Sequence, residues 1–119
     1  MINLDTHILL YALSGDLTSR ERSLLSSQQW SISAIVLWEI VMLANLKRID
    51  VDIDSGDFSR FLAPVHVWPL TYEICACIRN LDFKSDPADE LISATSIVHH
   101  VPLVTRDRKI RKSSMIPLA

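Results

Sequence analysis

Apolar residues recur along this chain in two rhythms. "INLD" (2–5), "WSIS" (30–33), "VHVWPL" (65–70) and "VPLVT" (101–105) are short runs, rich in β-branched residues or alternating with polar ones, and they predict strands. Between them the spacing lengthens to three and four. "HILLYAL", "SRERSLLSS", "AIVLWEIVML", "FSRFLA", "YEICACIRNL" and the stretch from Pro87 through about His99 read as helices. Ser33 and Thr71 stand where N-caps belong, and Pro87 suits a first helical turn. "RIDVDIDSGD" and "DFKSDP" are polar connections, and "MIPL" predicts a short fifth strand. Strands and helices alternate, and both strand faces are apolar. This pattern predicts a three-layer α/β/α fold with a central parallel sheet of four to five strands, as a single domain over residues 1–119.

Composition narrows the function classes. Half the residues are apolar (49 %), the globular range, yet no run nears the roughly 18 uninterrupted apolar residues of a membrane span. "MINLDTHILL" has no basic segment ahead of its apolar stretch, so it does not read as a signal peptide. Cys75 and Cys77, two apart on a helix, point in different directions and match no zinc template; they read as thiols in a reducing cytoplasm. With only two glycines, Gly15 and Gly56, the chain has neither a dinucleotide turn nor a P-loop. The net charge of −2 is featureless, but "RDRKIRK" (106–112) gathers five of the twelve basic residues beside one aspartate. "DVDIDSG" (50–56) imitates an EF-hand loop and fails it, with Ser55 at the glycine position and Phe61 where the bidentate glutamate belongs.

The candidate chemistry is acidic. Ligands of open parallel sheets bind beyond the carboxyl ends of the strands. Asp5 ends the first predicted strand, Asp107 follows the fourth, Glu39 lies about a turn and a half into the helix leaving the second, and Asp89 is in the first turn of the helix that opens at Pro87. Asp86 suits an N-cap, and Asp89 and Glu90 suit the positive end of a helix dipole. Glu39 resists such a reading, because its neighbours are Ile35, Ile40, Met42 and Leu43 and a buried charge needs a partner. Carboxylates converging without a counterion repel one another, and a hard divalent cation, Mg²⁺ or Mn²⁺, resolves this. Of the histidines, His99 and His100 end a helix and His66 lies in a strand; His7 follows Asp5 closely enough to sit near the site, but reads first as a first-turn structural residue.

"LDTHILLYAL", "ISAIVLWEIVML", "DPADELISAT" and "PLVTRDRKI", in this order and spacing across nearly the whole chain, resemble a PIN domain, specifically the VapC-type toxin of a VapBC toxin–antitoxin pair. The resemblance implies a parallel sheet between helices with an acidic metal cluster at one edge. It carries metal-binding roles onto Asp5, Glu39, Asp89 and Asp107, puts Thr105 where a hydroxyl orders the site, and sets Asp86 beside the ligands. There are departures: Glu90 stands where many relatives have arginine, "FKS" lacks a histidine or arginine, and "KSSMI" lacks a tyrosine–glycine pair.

The expected activity is metal-dependent endonucleolytic hydrolysis of RNA. One or two Mg²⁺ or Mn²⁺ ions would activate water and stabilise charge on the phosphate, while Arg106, Arg108, Lys109, Arg111 and Lys112 hold the RNA backbone. The resemblance further implies an antitoxin that covers this edge, and a toxin homodimer. An RNA- or partner-binding PIN-like module with little turnover is the alternative; a missing carboxylate would be its mark, and none is missing. Receiver domains and haloacid-type phosphatases also gather aspartates at such an edge. Both want an acidic partner for the first-strand aspartate, where this chain has Thr6 and His7.

Overall fold

Four short strands, β1 (Ile2–Leu4), β2 (Trp30–Ser33), β3 (His66–Trp68) and β4 (Leu103–Val104), pair into one sheet in the order β3-β2-β1-β4. The computed structural model describes residues 1–119. Every pairing is parallel, with Ile2 opposite Trp30, Asn3 opposite Leu103 and Ile32 opposite Val67. Seven helices make up the other layers: α1 (Thr6–Ser14), α2 (Ser19–Ser26), α3 (Ala34–Asn45), α4 (Gly56–Leu62), α5 (Tyr72–Cys77), α6 (Pro87–His99) and α7 (Arg108–Lys112). The predicted α/β architecture is the observed one.

The chain lays β2 and then β3 to one side of β1, and returns to place β4 on the other. The direction of winding therefore reverses between β1 and β4, and the crevice at their carboxyl ends is where such sheets bind ligands. Below it lies a core of Leu4, Ile32 and Leu103 from adjacent strands, packed with Ile8, Leu9, Val36, Ile40, Ile92 and Ile110. Asn3, fully buried, donates through Nδ2 to Ser96 Oγ at 2.9 Å, fastening β1 to α6. A satisfied buried amide of this kind fixes position without the penalty of an orphaned polar group.

Local chemistry sets the helix starts. Ser33 Oγ accepts from Ile35 N (3.3 Å), Ser55 from Phe58 N (3.1 Å) and Thr71 from Ile74 N (3.2 Å). Thr18 and Glu21 form a reciprocal capping box on α2, and α1 ends at Gly15, whose φ of 81° favours a residue without Cβ. The imitation EF-hand segment is the exposed approach to the Ser55 cap.

Two expectations need correction. "MIPL" forms no full strand: Leu118 makes only an isolated parallel bridge to Leu103, so the sheet has four strands. Strand β3 covers three of the six residues predicted and is exposed at His66 and Val67, because it is the sheet's edge and lacks a neighbour on one side. The basic run 106–112 contains a short helix, α7, whose only buried side chain is Ile110.

Candidate active site

Two of the four proposed carboxylates cap helices. Asp5 follows β1 directly, is only 6 % exposed, and accepts from Thr6 N through Oδ1 at 2.8 Å, opening α1. Asp107 follows β4 and accepts from Ile110 N through Oδ1 at 3.0 Å, opening α7. Both residues thus start helices, and each keeps a second carboxylate oxygen. That of Asp5, Oδ2, accepts from Thr105 Oγ1 at 2.6 Å, and Thr105 Oγ1 in turn accepts from Asp107 N at 3.0 Å.

Glu39 is reached from the other side. The Thr6 hydroxyl donates to Glu39 Oε1, so the partner that the apolar helix made necessary is a threonine, and Glu39 is half-buried at a cavity wall. One run of hydrogen bonds therefore links Glu39, Thr6, Asp5, Thr105 and Asp107. Asp89, in the first turn of α6, accepts separately from Ser85 Oγ at 2.8 Å.

Asp5, Glu39, Asp86, Asp89 and Asp107 line one cavity of about 340 Å³, with His7, Tyr11 and Arg106 on its remaining wall. Burial pushes the Asp5 carboxyl above the usual aspartate range and the charge of Asp107 adds to this; the bonds from Thr105 and Thr6 and the nearby His7 oppose it. Burial likewise pushes Asp89 up to about 6, with the charges of Asp5 and Asp86 adding to the shift. The site thus holds more negative charge than its surroundings stabilise. A slightly larger hollow of about 400 Å³ beside Trp30 and Phe61 contains no carboxylate and opens where β2 begins, the end of a parallel sheet that does not bind ligands.

As they stand, no three acidic, histidine or cysteine side chains are close enough to enclose an ion. The donor set is nevertheless all oxygen and strongly anionic. It fits a hard cation such as Mg²⁺, which takes few protein carboxylates and keeps several waters.

The sequence-based residues come together unevenly. The four carboxylates, Asp86 and Thr105 share one neighbourhood. Asp86 occupies the N-cap position of α6 as expected, yet its side chain caps nothing and lines the cavity instead. The basic patch divides. Arg111 donates to Thr105 O (3.1 Å) and Lys109 to Lys84 O (3.1 Å), bracing the loops around the site. Arg106 is bound to Glu21, while Arg108 and Lys112 stay exposed. Sequence reasoning missed Thr6, Ser85, Glu21 and Tyr11; of the two readings of His7 it favoured the structural one, and His7 lines the cavity. The spacing of His7 and Tyr11, one helical turn apart beginning two residues after Asp5, was the available signal.

A PIN domain family model matches residues 2–114. Ribonuclease VapC22 of Mycobacterium tuberculosis is 35% identical over 88 residues, covering 71% of this chain and 68% of that protein. Among solved structures, VapBC2 from Rickettsia felis bound to a DNA fragment from its promoter superimposes with a TM-score of 0.75 at 21% identity, over 100% of this chain and 98% of the matched one. A toxin–antitoxin complex from Klebsiella pneumoniae gives a TM-score of 0.71 at 21% identity, over 94% and 91%.

Proposed function

The chain belongs to the PIN-domain family, and from that premise we propose that it is a divalent-metal-dependent endoribonuclease, the toxin of a type II toxin–antitoxin pair. The observation that carries this reading is the convergence of Asp5, Glu39, Asp89 and Asp107 on one cavity at the switch point of a parallel sheet. The 35%-identical relative, named a ribonuclease, supports RNA as the substrate. Toxin–antitoxin complexes among the structural neighbours support an antitoxin partner. No helix is long and apolar enough to cross a membrane, and the free thiols Cys75 and Cys77 suit a reducing cytoplasm. Exposed Trp38 and Val41 on α3, the helix of Glu39, and Leu46 just beyond its end give a partner, antitoxin or second copy, apolar surface to cover.

Asp5, Glu39, Asp89 and Asp107 would hold Mg²⁺ or Mn²⁺, one ion or two. The metal would supply Lewis acidity at the phosphoryl oxygen and a lowered pKa for attacking water. The chain's own residues do the rest. The Thr6 hydroxyl takes Oε1 of Glu39 and leaves Oε2, Thr6 N and Thr105 together orient both oxygens of Asp5, and Ser85 takes Oδ2 of Asp89. Burial and the charges of Asp5 and Asp86 push the Asp89 carboxyl up to about 6, an excess of negative charge that a bound cation would relieve. Arg108 and Lys112 are free to attract the RNA backbone from outside the cavity.

The test is cleavage of bacterial RNA by the purified chain in Mn²⁺, Mg²⁺ or EDTA, beside Asp5→Asn. Discrete ends that need metal and vanish in the variant are expected. RNA binding with Mn²⁺ bound but no ends would favour the non-catalytic alternative, and failure of calorimetry to detect Mn²⁺ binding would remove the metal site.

A further inference from the structure

Arg106 was expected to grip the RNA backbone, and its surroundings argue against that role. Its Nε donates to Glu21 Oε2 at 2.9 Å and its Nη2 to Glu21 Oε1 at 2.7 Å, while Nη2 also reaches Asp16 O at 3.1 Å. A guanidinium grips phosphate well through a fork of two parallel N–H groups. Both forks of Arg106 include Nη2, whose hydrogens are taken, so only Nη1 remains and no fork is left. Its charge is also neutralised in place by a carboxylate held near pKa 2, chiefly by the hydrogen bond from Arg106 itself.

What remains is a plane. The guanidinium carbon sits 3.9 Å from the centroid of the Tyr11 ring, which covers one face. In-plane bonds to Glu21 and Asp16 prevent rotation, and Glu21 is itself held at the start of α2 by its capping box with Thr18. The side chain is still 40 % exposed and lines the acidic cavity. A flat, rigid, weakly hydrated cation backed by an aromatic ring and still partly exposed at a cavity wall is a surface on which a nucleobase stacks.

We propose that Arg106, stacked on Tyr11 and locked by Glu21, is a base-stacking platform at the wall of the active site, so that the substrate is RNA unpaired at the nucleotide beside the scissile phosphate. A duplex offers no such face, because each base is covered above and below by its neighbours. Glu21 is then a positioning residue, since it acts only by holding the plane. The inference rests on RNA being the substrate.

Two variants separate a platform from a phosphate grip. Arg106→Lys keeps the charge and loses the plane. Glu21→Gln keeps the capping box, in which glutamine serves as well, and removes the charge that neutralises Arg106 together with the acceptor of its Nε. The readout is fluorescence anisotropy of a labelled oligoribonucleotide in Ca²⁺, single-stranded or annealed to its complement, over a series of KCl concentrations. With Arg106→Lys, single-strand affinity should fall about tenfold, duplex affinity should hold, and the salt slope should not change. With Glu21→Gln the slope should steepen by about 0.7, as the guanidinium, no longer neutralised in place, adds one positive charge to those that face the phosphates. Wild-type affinity in Arg106→Lys, equal losses on single strand and duplex, or an unmoved slope in Glu21→Gln would each overturn the platform. Cleavage in Mn²⁺ is measured on the same samples. Binding that shifts as stated without any cleavage would remove the nuclease reading and keep the platform.

Discussion

Burial and neighbouring charge leave Asp89 half-protonated at about pH 6, and a carboxylate must be ionised before it holds a hard cation. At pH 5 the ion has to displace a proton from most Asp89 side chains; at pH 7.5 it does not. Mn²⁺ affinity measured by calorimetry should therefore rise between pH 5 and 7 and then level, and Asp89→Asn should flatten that rise. An affinity independent of pH would exclude Asp89 from the ligand set. Thr6 tests the geometry instead of the charge. Thr6→Val keeps the shape and leaves Glu39 without its hydroxyl donor, so Mn²⁺ affinity should fall about tenfold. Thr6→Ser should restore it, and an unchanged affinity in Thr6→Val would deny Thr6 that role. The acids could be read from the sequence because each stands beside a strand end or a helix start. Their partners could not. Thr6 meets Glu39 across 33 positions and Arg106 meets Glu21 across 85, pairings chosen by topology and not by any local pattern.

At the scale of elements, periodicity and caps carried most of the reading, since a helix with Ser33 or Thr71 at its start announces itself locally. Strand ends were less legible. "VHVWPL" has the composition of a strand, but whether a strand is flanked on both sides is decided by chain segments far away, and β3 turns out to be an edge. Helix α7 has too few apolar positions to show a period and depends on the Asp107 cap. The placement of α6 has a testable cause. Asn3 on β1 holds Ser96 on α6, which keeps the helix of Asp89 beside the strand of Asp5. Asn3→Ala should lower unfolding free energy by about 1–3 kcal/mol in urea titrations and weaken Mn²⁺ binding as well. Loss of stability with unchanged metal affinity would show that α6 is positioned by apolar packing alone.

For the whole molecule, the site works against the fold that builds it. Between pH 3.8 and about 6 the folded chain keeps a proton on Asp89 that the unfolded chain releases. That contribution to stability is complete below pH 3.8 and is lost as pH rises through about 6. At pH 7.5 without metal, the folded state therefore carries an ionised Asp89 that burial and the charges of Asp5 and Asp86 disfavour. Asp89→Asn removes this charge and should raise the melting temperature in EDTA by roughly 2–5 °C. The order should reverse when metal is added. A ligand that binds only the folded state stabilises it by about 2.7 kcal/mol at a hundred times its Kd, and only the wild type retains all four carboxylates to hold the ion. Melting curves recorded against increasing Mn²⁺ should thus start with the variant above the wild type and cross once the concentration exceeds the wild-type Kd about two- to tenfold. Equal gains in both proteins would place the ion elsewhere, and a wild type already more stable in EDTA would mean that Asp89 supports the fold instead of straining it.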